Sequence, residues 1–133
     1  MNTHSTSFRN RWHACLCVIA IAAVGATASA HHGWNWAVEA QSTLEGTIES
    51  ISMAPPHPWL QVKAADGSSW RVDLGNPSQT ERSGFRGDTA QPGDRITVLG
   101  NRSREADRRH MKAVRITLAG EHYDMYPERL QTP

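Results

Sequence analysis

His31 and His32 directly follow Ala28-Ser29-Ala30, and this junction holds the richest coordination chemistry in the chain. The small side chains of Ala28 and Ala30 form the A-x-A site that signal peptidase accepts. Cleavage after Ala30 makes His31 the first residue, with a free α-amine beside its imidazole. That amine and the ring Nδ1 can close a chelate on one metal ion. A second imidazole completes a T-shaped set of three nitrogens, a histidine brace. Nitrogen-rich, near-planar coordination suits copper(II), which also stands highest in the divalent affinity order. His57 is the first candidate for the second imidazole. It sits in Pro55-Pro56-His57-Pro58, a turn stiffened by three prolines, and stiffness lowers the entropy cost of holding a ligand. His32 is the rival, being adjacent to the same terminus. The expected metal residues are therefore His31, His57 and His32. The plainer alternative is that His31 and His32 are solvated and that His57 caps the turn or packs on Trp59.

The segment before the junction has the three parts of an export signal. Arg9 and Arg11 form a positive start, and Ala14 to Ala26 is an unbroken small and apolar run. That run has the length of a signal core and is short for a membrane span. An anchor that is never cut is the competing interpretation. Cleavage removes both cysteines, Cys15 and Cys17, so no disulfide or thiolate metal site survives in the exported form. It also takes two of the 14 basic side chains, leaving 12 against 13 acidic ones. A near-neutral chain is not a polyanion binder driven by bulk charge, so no nucleic-acid partner is expected. The expected location is periplasmic or secreted, with no stable membrane anchor after cleavage. The remaining 103 residues suffice for one small domain.

Alternation places the strands. Thr43 to Met53 sends Leu44, Gly46 and Ile48 to one face, and its phase slips near Ser50-Ile51, as at a bulge. Trp59 to Ala64 and Ser69 to Leu74 flank Asp66-Gly67, a strong turn signal. Arg95 to Gly100 follows Pro92-Gly93-Asp94, and Met111 to Leu118 sets Val114, Ile116 and Leu118 against Arg115 and Thr117. Ser78 to Ser83 suits a short helix begun by Pro77 or Ser78. The expected fold is all-β: a small five-stranded OB-like antiparallel barrel with one short helix. A small open sandwich is the alternative. The expected organisation is a signal peptide (1–30), an N-terminal arm or short edge strand (31–42), the OB-like domain (43–120) and a polar tail (121–133), poorly ordered at its end.

Several short motifs occur in a fixed order: Ala30-His31-His32-Gly33-Trp34, Gly46-Thr47-Ile48, Pro56-His57, Arg82-Ser83-Gly84-Phe85 and Pro92-Gly93-Asp94. In this the chain resembles the exported bacterial family called domain of unknown function 6152, over most of residues 30–120. Pro55 stands where that family usually has asparagine. The resemblance implies an exported small β domain and supplies no reaction.

A metal-free alternative remains, in which an OB-like module binds an unidentified periplasmic protein or a glycan through Trp59, Trp34 and Trp36. Trp59 falls on the polar phase of its strand and is the best surface candidate, whereas Trp70 shares the inward phase of Val72 and Leu74. His110-Met111 and His122-x-x-Met125 are weak soft-donor pairs. An enzyme is not expected. Asp73, Asp88 and Asp94 lie at turns or strand ends, with no base or nucleophile evident beside them. Nor does any H-E-x-x-H spacing occur. If this reading is right, the intact mass of the exported protein will correspond to a chain beginning at His31; a mass retaining any of residues 1–30 removes the brace.

Overall fold

The computed structural model describes Met1 and residues 33–131. In chain order the elements are β1 (Ala37–Ser52), β2 (Trp59–Ala64), β3 (Ser69–Asp73), α1 (Pro77–Arg82), β4 (Arg95–Ser103), β5 (His110–Leu118) and β6 (Glu121–Asp124), then a 3-10 turn at Pro127–Arg129. β1 is long enough to serve two partners. Its first part pairs with β4 from Ala37↔Ser103 to Thr47↔Arg95, and its second with β2 from Gly46↔Ala64 to Ser52↔Trp59. β2 pairs with β3, and β4 pairs with β5. A short parallel pairing of β3 with β5 then closes the ring through Arg71↔His110, Val72↔Met111 and Asp73↔Lys112. Five strands thus form the closed OB-like unit, and the open-sandwich alternative is set aside.

The core follows the alternation. Leu44 and Ile48 of β1, Leu60 and Val62 of β2, Val72 and Leu74 around β3, and Ile96 and Val98 of β4 are all buried. Trp70 is half-buried against this core, with the Arg102 guanidinium 4.7 Å above its ring. The phase slip expected near Ser50 is a register shift between Ile48 and Ser50. The short helix is capped by Asn76. Asn76 Oδ1 accepts from the Gln79 backbone N–H at 2.9 Å, and Gln79 Oε1 accepts from the Asn76 N–H at 3.2 Å. Thr80 is buried beneath the helix and donates to the Gly75 carbonyl at 3.0 Å.

Two domain boundaries differ from expectation. β1 begins at Ala37, so residues 37–42, expected as an arm or a separate short edge strand, are the first part of β1 and pair with β4. Residues 121–130 do not form a free polar tail. β6 pairs with β5, while Met125 and Tyr126 are buried in the core. The cause lies in β5. Leu99 pairs with Arg115 and Gly100 with Ala113, leaving Val114 as an extra residue on the β5 side. The bulged carbonyl of Val114 accepts the N–H groups of both Met125 and Tyr126, at 2.9 and 3.2 Å. A bulge also exchanges the faces on either side of it. Ile116 points inward beyond Val114, whereas Met111 and Ala113 take the inward positions before it, and Lys112 turns outward beneath the folded-back tail.

Glycine is required where this bulge forms. A Cβ on Gly100 would stand 3.0 Å from the Lys112 carbonyl carbon and 3.1 Å from Met111 Cγ, with the Lys112 oxygen closer still. Gly100→Val is expected to destabilise the fold by about 1–3 kcal/mol, read as a lower urea midpoint; an unchanged midpoint would show that the β4–β5 approach is not tight.

Candidate functional site

The turn after β1, the start of α1, the middle of β5 and the 3-10 turn converge on one cavity of about 370 Å³. His57, Gln79, Lys112 and Arg129 reach it from these four places, and Gly33 and Trp34 close its other side. Trp34 packs edge-on against Tyr126, with ring centroids 4.8 Å apart at 77°. The Arg129 guanidinium lies 4.1 Å from the Trp34 centroid. Lys112 Nζ lies 5.3 Å from the Trp34 ring and 5.6 Å from the Tyr126 ring. Gln41 Nε2 donates to the Arg129 carbonyl at 2.6 Å and ties the tail to β1.

Lys112 is only 8% exposed. Burial pulls its pKa below the ordinary lysine value, the Arg129 charge pulls the same way, and the Asp73 carboxylate opposes both. Burial likewise pushes the Tyr126 hydroxyl up, aided by Glu128. Among the described residues, no carboxylate lies within ion-pair distance of Lys112.

A second polar constellation lies on the seam itself. Asp73 Oδ2 stands 2.8 Å from His110 Nε2, and Asp73 Oδ1 accepts from Arg71 Nε at 2.9 Å. Trp36 stacks on His110 with centroids 4.0 Å apart at 12°, and Arg71 lies 4.6 Å from the Trp59 centroid. Trp36, His110, Asp73, Arg71 and Trp59 therefore form one band of contacts across the β3–β5 closure. The expectation that Asp73 lacks a basic neighbour is corrected here: parallel pairing brings it beside a histidine 37 residues away.

Of the residues expected to bind metal, His57 is exposed and lines the cavity. His31 and His32 lie outside the described residues, as does the expected cleavage site. Among the described residues, no three His, Cys, Asp or Glu side chains gather in a metal-binding group. The three tryptophans divide between two places. Trp34 belongs to the cavity, while Trp36 and Trp59 stand at the two ends of the seam band. The soft-donor pairs separate, because Met111 and Met125 are buried in the core while His110 turns to Asp73 and His122 to Thr117.

Sequence reasoning did not find Lys112, Tyr126 or Arg129. The signal for Lys112 was a charge in phase with Val114 and Ile116, but only the bulge shows why that position can be charged. Tyr126 and Arg129 carried no signal, since what covers the tail residues depends on where the tail folds back.

Residues 18–112 match the family of unknown function DUF6152. The chain belongs to that family. No curated protein matches the sequence. Among solved structures, this DUF6152 chain is similar to a chain of the S. pombe Stn1–Ten1 complex, at 17% identity and a TM-score of 0.50, over 61% of this chain and 59% of the other. It spans about three fifths of that chain's length. A ZRD-deleted mutant of TiaS in complex with agmatine is also similar, at 12% identity and a TM-score of 0.47, over 64% of this chain and 26% of that one. These likenesses concern the fold. Among the described residues, no helix is long and apolar enough to cross a membrane.

The seam has a pH signature. Burial pushes the Asp73 carboxyl up, but the hydrogen bonds and charges of His110 and Arg71 outweigh burial and hold it below the usual carboxylate value of 3.8. A carboxyl depressed on folding adds stability above its unfolded pKa and loses it as the pH falls through the folded one. Wild type should therefore lose stability below about pH 4 more steeply than Asp73→Asn, measured by urea unfolding from pH 7 to pH 2. Parallel pH curves for the two proteins would remove the seam pair as a stabilising contact.

Proposed function

We propose that this chain is an exported small copper(II)-binding protein whose site is completed by signal cleavage. In this reading the His31 amine and ring chelate the ion, His57 supplies the second imidazole, and His32 is the competing ligand. One observation carries it: Gly33 and His57 line the same cavity. His31 is two residues from Gly33, so backbone geometry limits its distance from that wall to about 7 Å. A tether this short supports His31 and His57 as ligands of one ion. The turn bearing His57 is anchored by Pro58, whose side chain is fully buried, which suits a preplaced ligand. A domain of this size with a polar, open cavity fits capture or transfer of an ion better than oxidation of a bulky substrate.

A second reading, a metal-free module that binds a protein or glycan, is favoured by the seam band. Trp36 and Trp59 bracket Arg71, Asp73 and His110, and flat rings beside paired polar groups suit recognition of a sugar or a polar protein surface. Loss of a copurifying partner on Trp59→Ala, with copper binding unchanged, would favour this reading.

The copper reading is tested at the terminus. Inserting one glycine between Ala30 and His31, in a His32→Ala background so that no third-position histidine chelate is created, separates the amine from the ring. Both this variant and His57→Ala should lower copper(II) affinity roughly tenfold or more, about 1.4 kcal/mol, and alter the electron paramagnetic resonance spectrum. Affinity should also fall at acid pH, because nitrogen ligands must be deprotonated before they bind the ion. Unchanged affinity and spectrum in the glycine variant would exclude the brace.

A further inference from the structure

Lys112 holds a positive charge in a place that works against it. Its backbone is locked between β3 and β4, opposite Asp73 and Asn101, so the side chain cannot withdraw by local movement. Its Nζ is covered by the Trp34 and Tyr126 rings. The nearest acid in register, Asp73, is already committed to His110 and Arg71. Arg129 adds a second cation to the same wall, stacked on Trp34 and held there through its carbonyl. Glu128 also lines the cavity, but among the described residues it forms no ion pair with either cation. A buried ammonium facing an open cavity without an acidic partner is stabilised by any anion that enters.

We propose that this cavity binds a small organic carboxylate, with Lys112 and Arg129 as its cationic contacts and the Trp34 and Tyr126 rings as its apolar wall. The planar fork of Arg129 matches a carboxylate, and the ammonium of Lys112 supplies a point charge to the same group. The rings suit a ligand with an apolar body, which inorganic phosphate lacks. Gln79 also lines the cavity, and its Oε1 is engaged by the Asn76 N–H. The volume, near the lower end for ligand pockets, limits the ligand to a small molecule. This site does not depend on the copper reading, although the two share a cavity. A carboxylate held there would offset the repulsion that Lys112 and Arg129 exert on a dication.

The experiment is a two-dimensional NMR titration of the purified chain with benzoate, in EDTA so that no metal contributes, with benzamide and inorganic phosphate as comparison probes. Benzoate should saturate and shift the Trp34 indole N–H, while benzamide, equal in shape and uncharged, and phosphate, charged without an apolar body, should bind about tenfold or more weakly. Lys112→Met should keep its dispersion and urea midpoint, because it removes a buried charge, and should weaken benzoate about tenfold or more. Arg129→Gln, on the tail surface, should weaken it severalfold and serves as the test if Lys112→Met does not fold. Equal binding of benzamide or phosphate, no saturation by benzoate, or undiminished binding in the variants would each overturn the proposal. Copper binding in the absence of EDTA is measured separately, so loss of one site leaves the other standing.

Discussion

Three residue pairs between β3 and β5 close this molecule, and most of what is distinctive about it depends on that short parallel seam. A parallel pairing so brief supplies few ladder hydrogen bonds. Side chains reinforce it from outside: Asp73 takes hydrogen bonds from its own strand through Arg71 and from across the seam through His110. Trp36 covers His110, so the chain just before β1 is drawn to the same line. Inside, Val72 and Met111 meet as fully buried partners. The closure is thus a polar clasp over an apolar joint, and it leaves the five-stranded ring without an open edge at that point.

The bulge at Val114 lets β5 serve both ends of this arrangement. Before it, β5 faces β3; beyond it, β5 faces β6. The unpaired carbonyl gathers the N–H groups of Met125 and Tyr126, and this turns the last residues back over Lys112. One extra residue in one strand therefore creates the outward lysine, the aromatic cover and the placement of Arg129. The cavity is a consequence of how the ring is closed, and Gly33 meets it because Trp34 packs on Tyr126.

Much of the fold was legible. The alternation of Leu44 with Ile48, Leu60 with Val62 and Val98 with Ile96 marked strands with one dry face, and the turns at Asp66-Gly67 and Pro92-Gly93 separated them. Pro77 suits the first position of a helix and needs no tertiary partner there, so α1 was readable too, while its capping by Asn76 and Gln79 came from the structure. The candidate site was less so. His57 could be found because histidine among prolines is unusual, but the aspartate–histidine pair and the buried lysine are long-range facts. His110 lies on a different strand from Asp73, and nothing in either neighbourhood announces the other.

The sequence by itself determined five of the strands, the short helix and the all-β class, because these follow from periodicity and local backbone preference, and its ordered motifs marked the family. It also marked the Ala30-His31 junction on which the proposed copper site rests. Only the tertiary structure decided which strand closes the ring, that residues 37–42 and 121–124 are strand, and that Lys112 and Arg129 share a wall with His57. The reason is physical. Period-two alternation assigns faces only until a bulge exchanges them, and a parallel pairing joins residues with no short-range signal between them.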